Sequence, residues 1–179
     1  MQIEYRLGCM EDLDEICRLV RTAVNKMIEN NIFQWDEIYP TEADFREDIN
    51  RKELYVGIID GQIAVTYTIN QECDDEYKNG EWRYKEFSYI VVHRICVHSD
   101  FQNRGIGRHT LLHIEKQVLS NGIQAIRLDA FSENPYSLRM YDRLGYSKVG
   151  IANFRKGKFY LLEKYLGAWK PRADFISHK

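Results

Sequence analysis

The stretch Gln102-Asn103-Arg104-Gly105-Ile106-Gly107-Arg108 sets two glycines and two arginines between an apolar run ending at Val97 and the start of a helical pattern. Those residue types in that place suit one chemistry. The first backbone N–H groups of a helix are unpaired and the helix dipole is positive there, so an anion such as a pyrophosphate sits well on them. Glycine removes the Cβ that would block close approach, and Arg104 and Arg108 add positive charge. Three phosphate motifs compete for the stretch. A Walker A loop, GxxxxGK(S/T), is absent. A dinucleotide fingerprint, GxGxxG, fails because Thr110 occupies its third glycine position. Asp129 stands about 20 residues on, where a ribose-binding acid would, but the path from Val97 to Gln102 is too long for that motif's tight first turn. The third pattern, Arg/Gln-x-x-Gly-x-Gly/Ala, is met by Gln102, Gly105 and Gly107. An ordinary glycine-containing turn is the plain alternative.

Other reactive side chains give weaker signals. His109 and His113 are one helical turn apart, a metal-ligating spacing, yet no glutamate lies between them and no third ligand is evident, so the expectation is helix-face residues and no metal. Cys9, Cys17, Cys73 and Cys96 are widely spread and form no CxxC pair. They read as reduced thiols of a cytoplasmic protein.

These residues need elements to hold them. The 179-residue length fits one domain with a sizeable core. A net charge of −2 supplies no basic field for nucleic acid, which makes the arginines at 104 and 108 a local feature. No apolar stretch reaches membrane-spanning length, and MQIEYRLG lacks the apolar region of a signal peptide. Residues 3–7 read as a strand. Apolar residues at Leu13, Ile16, Val20, Val24, Met27 and Ile28 make 11–29 an amphipathic helix. Thr41-Glu42-Ala43-Asp44 resembles a capping box that starts a helix to residue 50. Runs 54–60 and 63–72 flank Gly61-Gln62, and Asp60-Gly61 is a hairpin signal, so the two read as antiparallel strands. Residues 73–87, polar, charged and aromatic, read as a solvated loop or exposed hairpin extension.

The apolar middle of 88–97 predicts a central strand. A helix over 105–119, a strand over 124–131, a helix over 134–144 opened by Asn134-Pro135, and a hairpin of 146–155 with 158–166 around Lys156-Gly157 complete the order. Strand 88–97, its helix and strand 124–131 form one right-handed parallel crossover. The expected fold is therefore α/β (α+β). A central, twisted, mixed and mostly antiparallel sheet carries one parallel βαβ pair that splays open, with helices on both faces. The domain is expected over 1–168, and 169–179 as a polar tail in which Trp169 and Phe175 pack on something.

Two stretches carry a resemblance. ICVHSDFQNRGIGRHTLL resembles the pyrophosphate-binding motif of the GNAT superfamily of N-acetyltransferases with its preceding strand. IRLDAFSENPYSLRMYDRLGYSKVG resembles that family's next motif. Their order and spacing agree over about residues 3 to 166. The resemblance implies a single GNAT-like domain that moves an acetyl group from acetyl-CoA, as cosubstrate, to a primary amine within a ternary complex. It implies that the amides of Asn103 to Arg108, following Gln102, hold the pyrophosphate. Ile95, Cys96 and Val97 line the pantetheine arm, and the Val97 N–H polarises the thioester carbonyl. Asn134 bonds a pantetheine amide with help from Ser137. It also implies a small-molecule or peptide amine as partner, and pairing of two copies through β-rich C-terminal ends.

Acyl transfer to an amine needs a neutral amine, a stabilised oxyanion and a proton for the leaving thiolate. Tyr141, two helical turns past Asn134 and on the same face, is the candidate acid under the resemblance, and a core tyrosine without it. The central strand offers His93 and no glutamate as a base; a hydrogen-bonded core histidine is the competing reading. Strict alternation puts residues 91, 93, 95 and 97 on one face. Trp35 and Glu37 are expected to line the acceptor pocket, with Trp35 as a core anchor the alternative. Segment 73–87 is placed to cover that pocket. Two rival functions stand beside the enzyme: a non-catalytic acyl-CoA-binding regulatory module, and a nucleotide-binding oxidoreductase built on Gly105, Gly107 and Asp129.

Overall fold

A computed structural model describes residues 2–167. The expected packing of Trp169 and Phe175 lies outside the described residues. Among those described, β1 (Glu4–Leu7), α1 (Leu13–Glu29), α2 (Glu42–Asn50), β2 (Leu54–Ile59), β3 (Gln62–Asn70), β4 (Tyr89–Val97), α3 (Ile106–Ser120), β5 (Ala125–Phe131), α4 (Pro135–Arg143), β6 (Ser147–Phe154) and β7 (Gly157–Tyr165) follow one another. The seven strands form one sheet in the order β1-β2-β3-β4-β5-β7-β6. Only β4 and β5 run parallel. No described helix is long and apolar enough to cross a membrane.

Local chemistry explains most boundaries. Thr41 Oγ1 accepts from the Asp44 amide while the Asp44 carboxylate accepts from the Thr41 amide, so the capping box closes α2. Asp60 and Gly61 take φ of 51° and 80°, the left-handed pair that matches strand twist in a two-residue turn. The last hairpin differs from expectation by one residue. Phe154 opposes Gly157, so Arg155-Lys156 form the turn and Gly157 opens β7.

Apolar stripes sort the helices to both faces. α1 and α2 pack Leu13, Ile16, Leu19, Val20, Phe45 and Ile49 on Leu54, Val56, Ile63 and Cys96. α3 and α4 pack Leu111, Ile114, Val118, Tyr141 and Leu144 on Tyr67, Ile90, Val92, Ile126 and Leu128 of the opposite face. The Tyr5 ring stacks on the imidazoles of both His109 and His113, and its hydroxyl lies 3.1 Å from His109 Nδ1. The four cysteines are free thiols.

Two departures matter for the site. First, strict alternation fails along β4. Thr66 opposes Cys96 but Thr68 opposes His93, so Tyr67 faces two residues, and Arg94 takes φ of 49°. This is a β-bulge, and one extra residue inverts the phase of every side chain beyond it. Val91 and Cys96 face the α1 side, whereas Val92, Ile95 and Val97 face α3 and α4. His93 therefore does not share a face with Ile95 and Val97. Second, 73–87 is largely exposed, as a solvated loop would be, but it is no hairpin extension and it is tied down at Tyr77. It holds a short helix, Asp75–Asn79, with Tyr77 buried against Val149 and Leu161.

Candidate active site

β4 and β5 pair over only three positions, Tyr89 with Ala125, Ile90 with Ile126 and Val91 with Arg127. Past Val91 the strands part, and a cavity of about 1450 Å³ opens between them. A volume of that order accommodates a large ligand together with a small one. The parting also frees backbone groups. Val97 opposes Val65, and its neighbour His98 donates to Ala64. In an antiparallel ladder that pattern turns the Val97 N–H away from β3, into the gap. The Val97 carbonyl accepts from the Gln102 side chain.

One end of the cavity is the glycine turn. Gly105 stands at the N-cap of α3 with φ of 78°, and no side chain caps the helix. The amides of Ile106, Gly107 and Arg108 thus keep unsatisfied donors beside an open space, since a Cβ at Gly105 would meet nothing within 4 Å. Gly107 sits close under α4: a Cβ there would come to 3.1 Å of Met140 Sδ, which would have to shift by a few tenths of an ångström. Gln102, Asn103 and the run from Gly105 to Arg108 line the cavity. Arg104 does not; its guanidinium lies over the Phe101 ring, 5.6 Å from the centroid, on the exposed side of the turn.

The middle is formed by β4 and α4. Ile95, Cys96 and Val97 line it, although the Cys96 thiol is buried on the α1 side, which pushes it up to about 12 and leaves it inert. Asn134 caps α4 by accepting from the Ser137 amide, and its side-chain NH₂ reaches Gln34 across the cleft. Tyr141 lines the cavity two turns on. Burial, and then the nearby Asp129 charge, raise its hydroxyl well above the ordinary tyrosine range, so it stays protonated.

The far end holds the titratable groups. His93 Nε2 is 2.9 Å from Asn70 Oδ1. That oxygen also accepts from the Glu72 amide while the Asn70 NH₂ donates to Glu53, which fixes the amide's orientation and puts the histidine proton on Nε2. Burial first, then Arg94, push His93 down to about 4, so it is neutral across the physiological range. Arg94, at the bulge, makes a bidentate pair with Asp48 and donates to the Tyr39 hydroxyl. Asp129, read from sequence only as a rival's ribose ligand, lines the cavity from β5. Burial pushes its carboxyl up to about 6, against the pull of a hydrogen bond from Tyr77. Its one signal in sequence is a carboxylate inside the otherwise apolar run LDAF. Trp35 lines the cavity while anchored in the α1 core. Glu37 is exposed and does not line it; Asp36 pairs with Arg155 and Lys156 and accepts from the Ile38 amide, and Ile38 and Tyr39 are the residues of this turn that line the cavity.

Comparison with known proteins fits this geometry. The model of the acetyltransferase (GNAT) family matches residues 21–146. An S-(2-succino)cysteine N-acetyltransferase of Bacillus subtilis is 24% identical over 88% of this chain and 92% of its own. A ribosomal protein bS18-alanine N-acetyltransferase of Salmonella typhimurium is 30% identical over 34% of this chain and 41% of its own. Among solved structures, a GNAT-family acetyltransferase from Streptococcus agalactiae superposes with a TM-score of 0.81 at 24% identity, covering 91% of this chain and 95% of that one. A PaiA N-acetyltransferase from Thermoplasma acidophilum, in complex with coenzyme A, superposes at 0.68 and 16% identity, over 92% and 99%.

Proposed function

The chain belongs to the GNAT acetyltransferase family, and from that premise we propose that it moves an acetyl group from acetyl-CoA directly to a primary amine held in the same cleft. The observation that carries the reading is the parting of β4 from β5, with a phosphate-binding turn at one end and ionisable groups at the other. When bound, acetyl-CoA supplies the activated acetyl thioester. The chain's residues fit it: the uncapped amides of Ile106 to Arg108 would hold the pyrophosphate, and Asn134, Ser137 and the edge formed by Ile95 and Val97 would hold the arm. The free Val97 N–H donates to the carbonyl oxygen as charge grows there.

Proton traffic falls to two residues, Tyr141 on α4 and Asp129 on β5. Tyr141, always protonated, gives its proton to the leaving sulfur. Asp129, ionised above about pH 6, takes the proton of the attacking amine directly or through water. His93, neutral with Nε2–H on Asn70, is the weaker base of the pair and holds the cleft wall. The acceptor is a small-molecule or peptide amine. Release of free thiol from acetyl-CoA over a panel of amines tests the reaction; acetyl-CoA bound tightly with no thiol released above the hydrolytic background for any amine would point to a binding module instead.

The turn makes its own prediction. At φ of 78° a Gly105→Ala side chain meets no atom, so its cost is purely conformational, about 1–2 kcal/mol for an L-residue held left-handed. With nothing packed against it, the free turn of the variant relaxes out of the left-handed geometry and binding must restore it, so calorimetry should show acetyl-CoA affinity down about tenfold with the thermal transition lowered by at most a few degrees. An unchanged affinity with an unmoved thermal transition would remove the turn from the binding site.

A further inference from the structure

Asp129 is not left to itself in the cleft. The Tyr77 hydroxyl donates to its Oδ1 at 2.8 Å, across 52 residues of sequence. Tyr77 arrives there on the short helix Asp75–Asn79, and that segment is pinned to the sheet away from the cleft. Trp82 stacks on the Tyr77 ring at 5.6 Å and donates its indole N–H to the Tyr77 carbonyl. The Arg127 guanidinium is sandwiched between Trp82 and Tyr89, 4.4 and 3.8 Å from their centroids, and pairs with the buried Glu163. Glu163 in turn accepts from the Arg83 amide, and the Glu81 amide donates to Val149. Gly150 permits the approach, because a Cβ there would lie 2.7 Å from the Asn79 carbonyl oxygen.

A segment so anchored is more than a cover. We propose that 73–87 is a working part of the active site and that Tyr77 is a positioning residue, which holds the Asp129 carboxylate toward the gap by a hydrogen bond and favours its charged form. The inference rests on Asp129 being the proton acceptor. The other groups facing Asp129 are Asp74 of the same segment, Arg94 of β4, Tyr39 from the α1–α2 connection and Tyr141 of α4. Asp74 opposes the charged form and Arg94 favours it. Tyr77 itself is held protonated, since burial and Asp129 both raise it. It is therefore a fixed donor rather than a second titrating acid.

Tyr77→Phe keeps the ring, its stack on Trp82 and its burial, and deletes only the donor. A hydrogen bond to the charged form lowers a carboxyl pKa, so its loss should move the acid limb of the kcat/KM profile upward by about one unit. The Phe variant should then be about fivefold slower than wild type at pH 6 and converge with it above pH 8, with acetyl-CoA affinity unchanged and a melting temperature that matches wild type at pH 5, where Asp129 keeps its proton, and falls below it only as the pH rises. A merely structural Tyr77 predicts the opposite: a lower melting temperature already at pH 5 or a uniform loss, with the limb in place. Either of those results overturns the proposal. Gly150→Ala is the second variant. It pushes the segment off β6 from outside the cleft and should move the limb in the same direction; should the Phe variant fail to fold, an unmoved limb in Gly150→Ala overturns the proposal. Asp129→Asn separates the two claims. If the limb persists there, the assignment of the base has failed, whatever Tyr77→Phe does. If it vanishes there but Tyr77→Phe leaves wild-type protein unmoved, only the role of Tyr77 has failed.

Discussion

Tyr141→Phe should bind acetyl-CoA with nearly wild-type affinity and turn over about 10²–10⁴-fold more slowly, the usual cost of deleting a general acid. The substitution is conservative where it needs to be. The ring is buried between α3 and α4 and meets Tyr146 edge-on at 5.6 Å, and phenylalanine keeps both contacts. Only the hydroxyl is lost, from a residue that lines the cleft. Because burial and Asp129 hold the hydroxyl protonated, the acid is loaded at every pH at which the fold is intact. The loss in kcat should therefore be the same at pH 6 and pH 9, and it should shrink with an acyl donor whose thiol is a better leaving group. A variant within about twofold of wild-type kcat, where chemistry limits the rate, would assign the proton to solvent.

The parts of this site that were legible in sequence are those whose physics is local. The glycine turn, the Asn134-Pro135 helix start and the Asp60-Gly61 hairpin each need particular backbone angles or donors within a few residues, and only certain residue types supply them. The position of Tyr141 follows from Asn134 by helix geometry alone. What escaped the sequence depends on partners far along the chain. The bulge at Arg94 carries no glycine to mark it; a non-glycine φ of 49° stands there with the guanidinium held by Asp48, 46 residues away. Missing it put His93 on the wrong face of β4. Segment 73–87 reads as solvated because its polar and charged residues outnumber its apolar ones. Its order comes from Arg127, Glu163 and Val149, none of which its own composition announces. The outward position of Glu37 is the same lesson on a smaller scale, since its neighbour Asp36 is held by Arg155 and Lys156 more than 100 residues on.

Asp129 is the residue whose reading changed most, from a ribose ligand in a rejected motif to the base of the proposed reaction. Asp129→Asn should lower kcat/KM at pH 7 by about 10²–10⁴-fold and abolish the acid limb near pH 6, while acetyl-CoA affinity holds. Stability should move the other way. A carboxyl raised from 3.8 to about 6 keeps its proton in the folded state between those values while the unfolded chain releases it. Its stabilising contribution is present at low pH and is lost as pH rises through about 6, so above that point the ionised carboxylate is a burden on the fold. Asparagine never ionises and still accepts from Tyr77. At pH 7 to 8 the variant should therefore melt no lower than wild type, a dissociation of activity from stability that a core residue would not show. His93 provides the contrast. Lowered to about 4, it would place a limb near that value and not near 6, so His93→Ala should leave the limb where it is. A limb that survives Asp129→Asn and disappears in His93→Ala would transfer the base to the histidine.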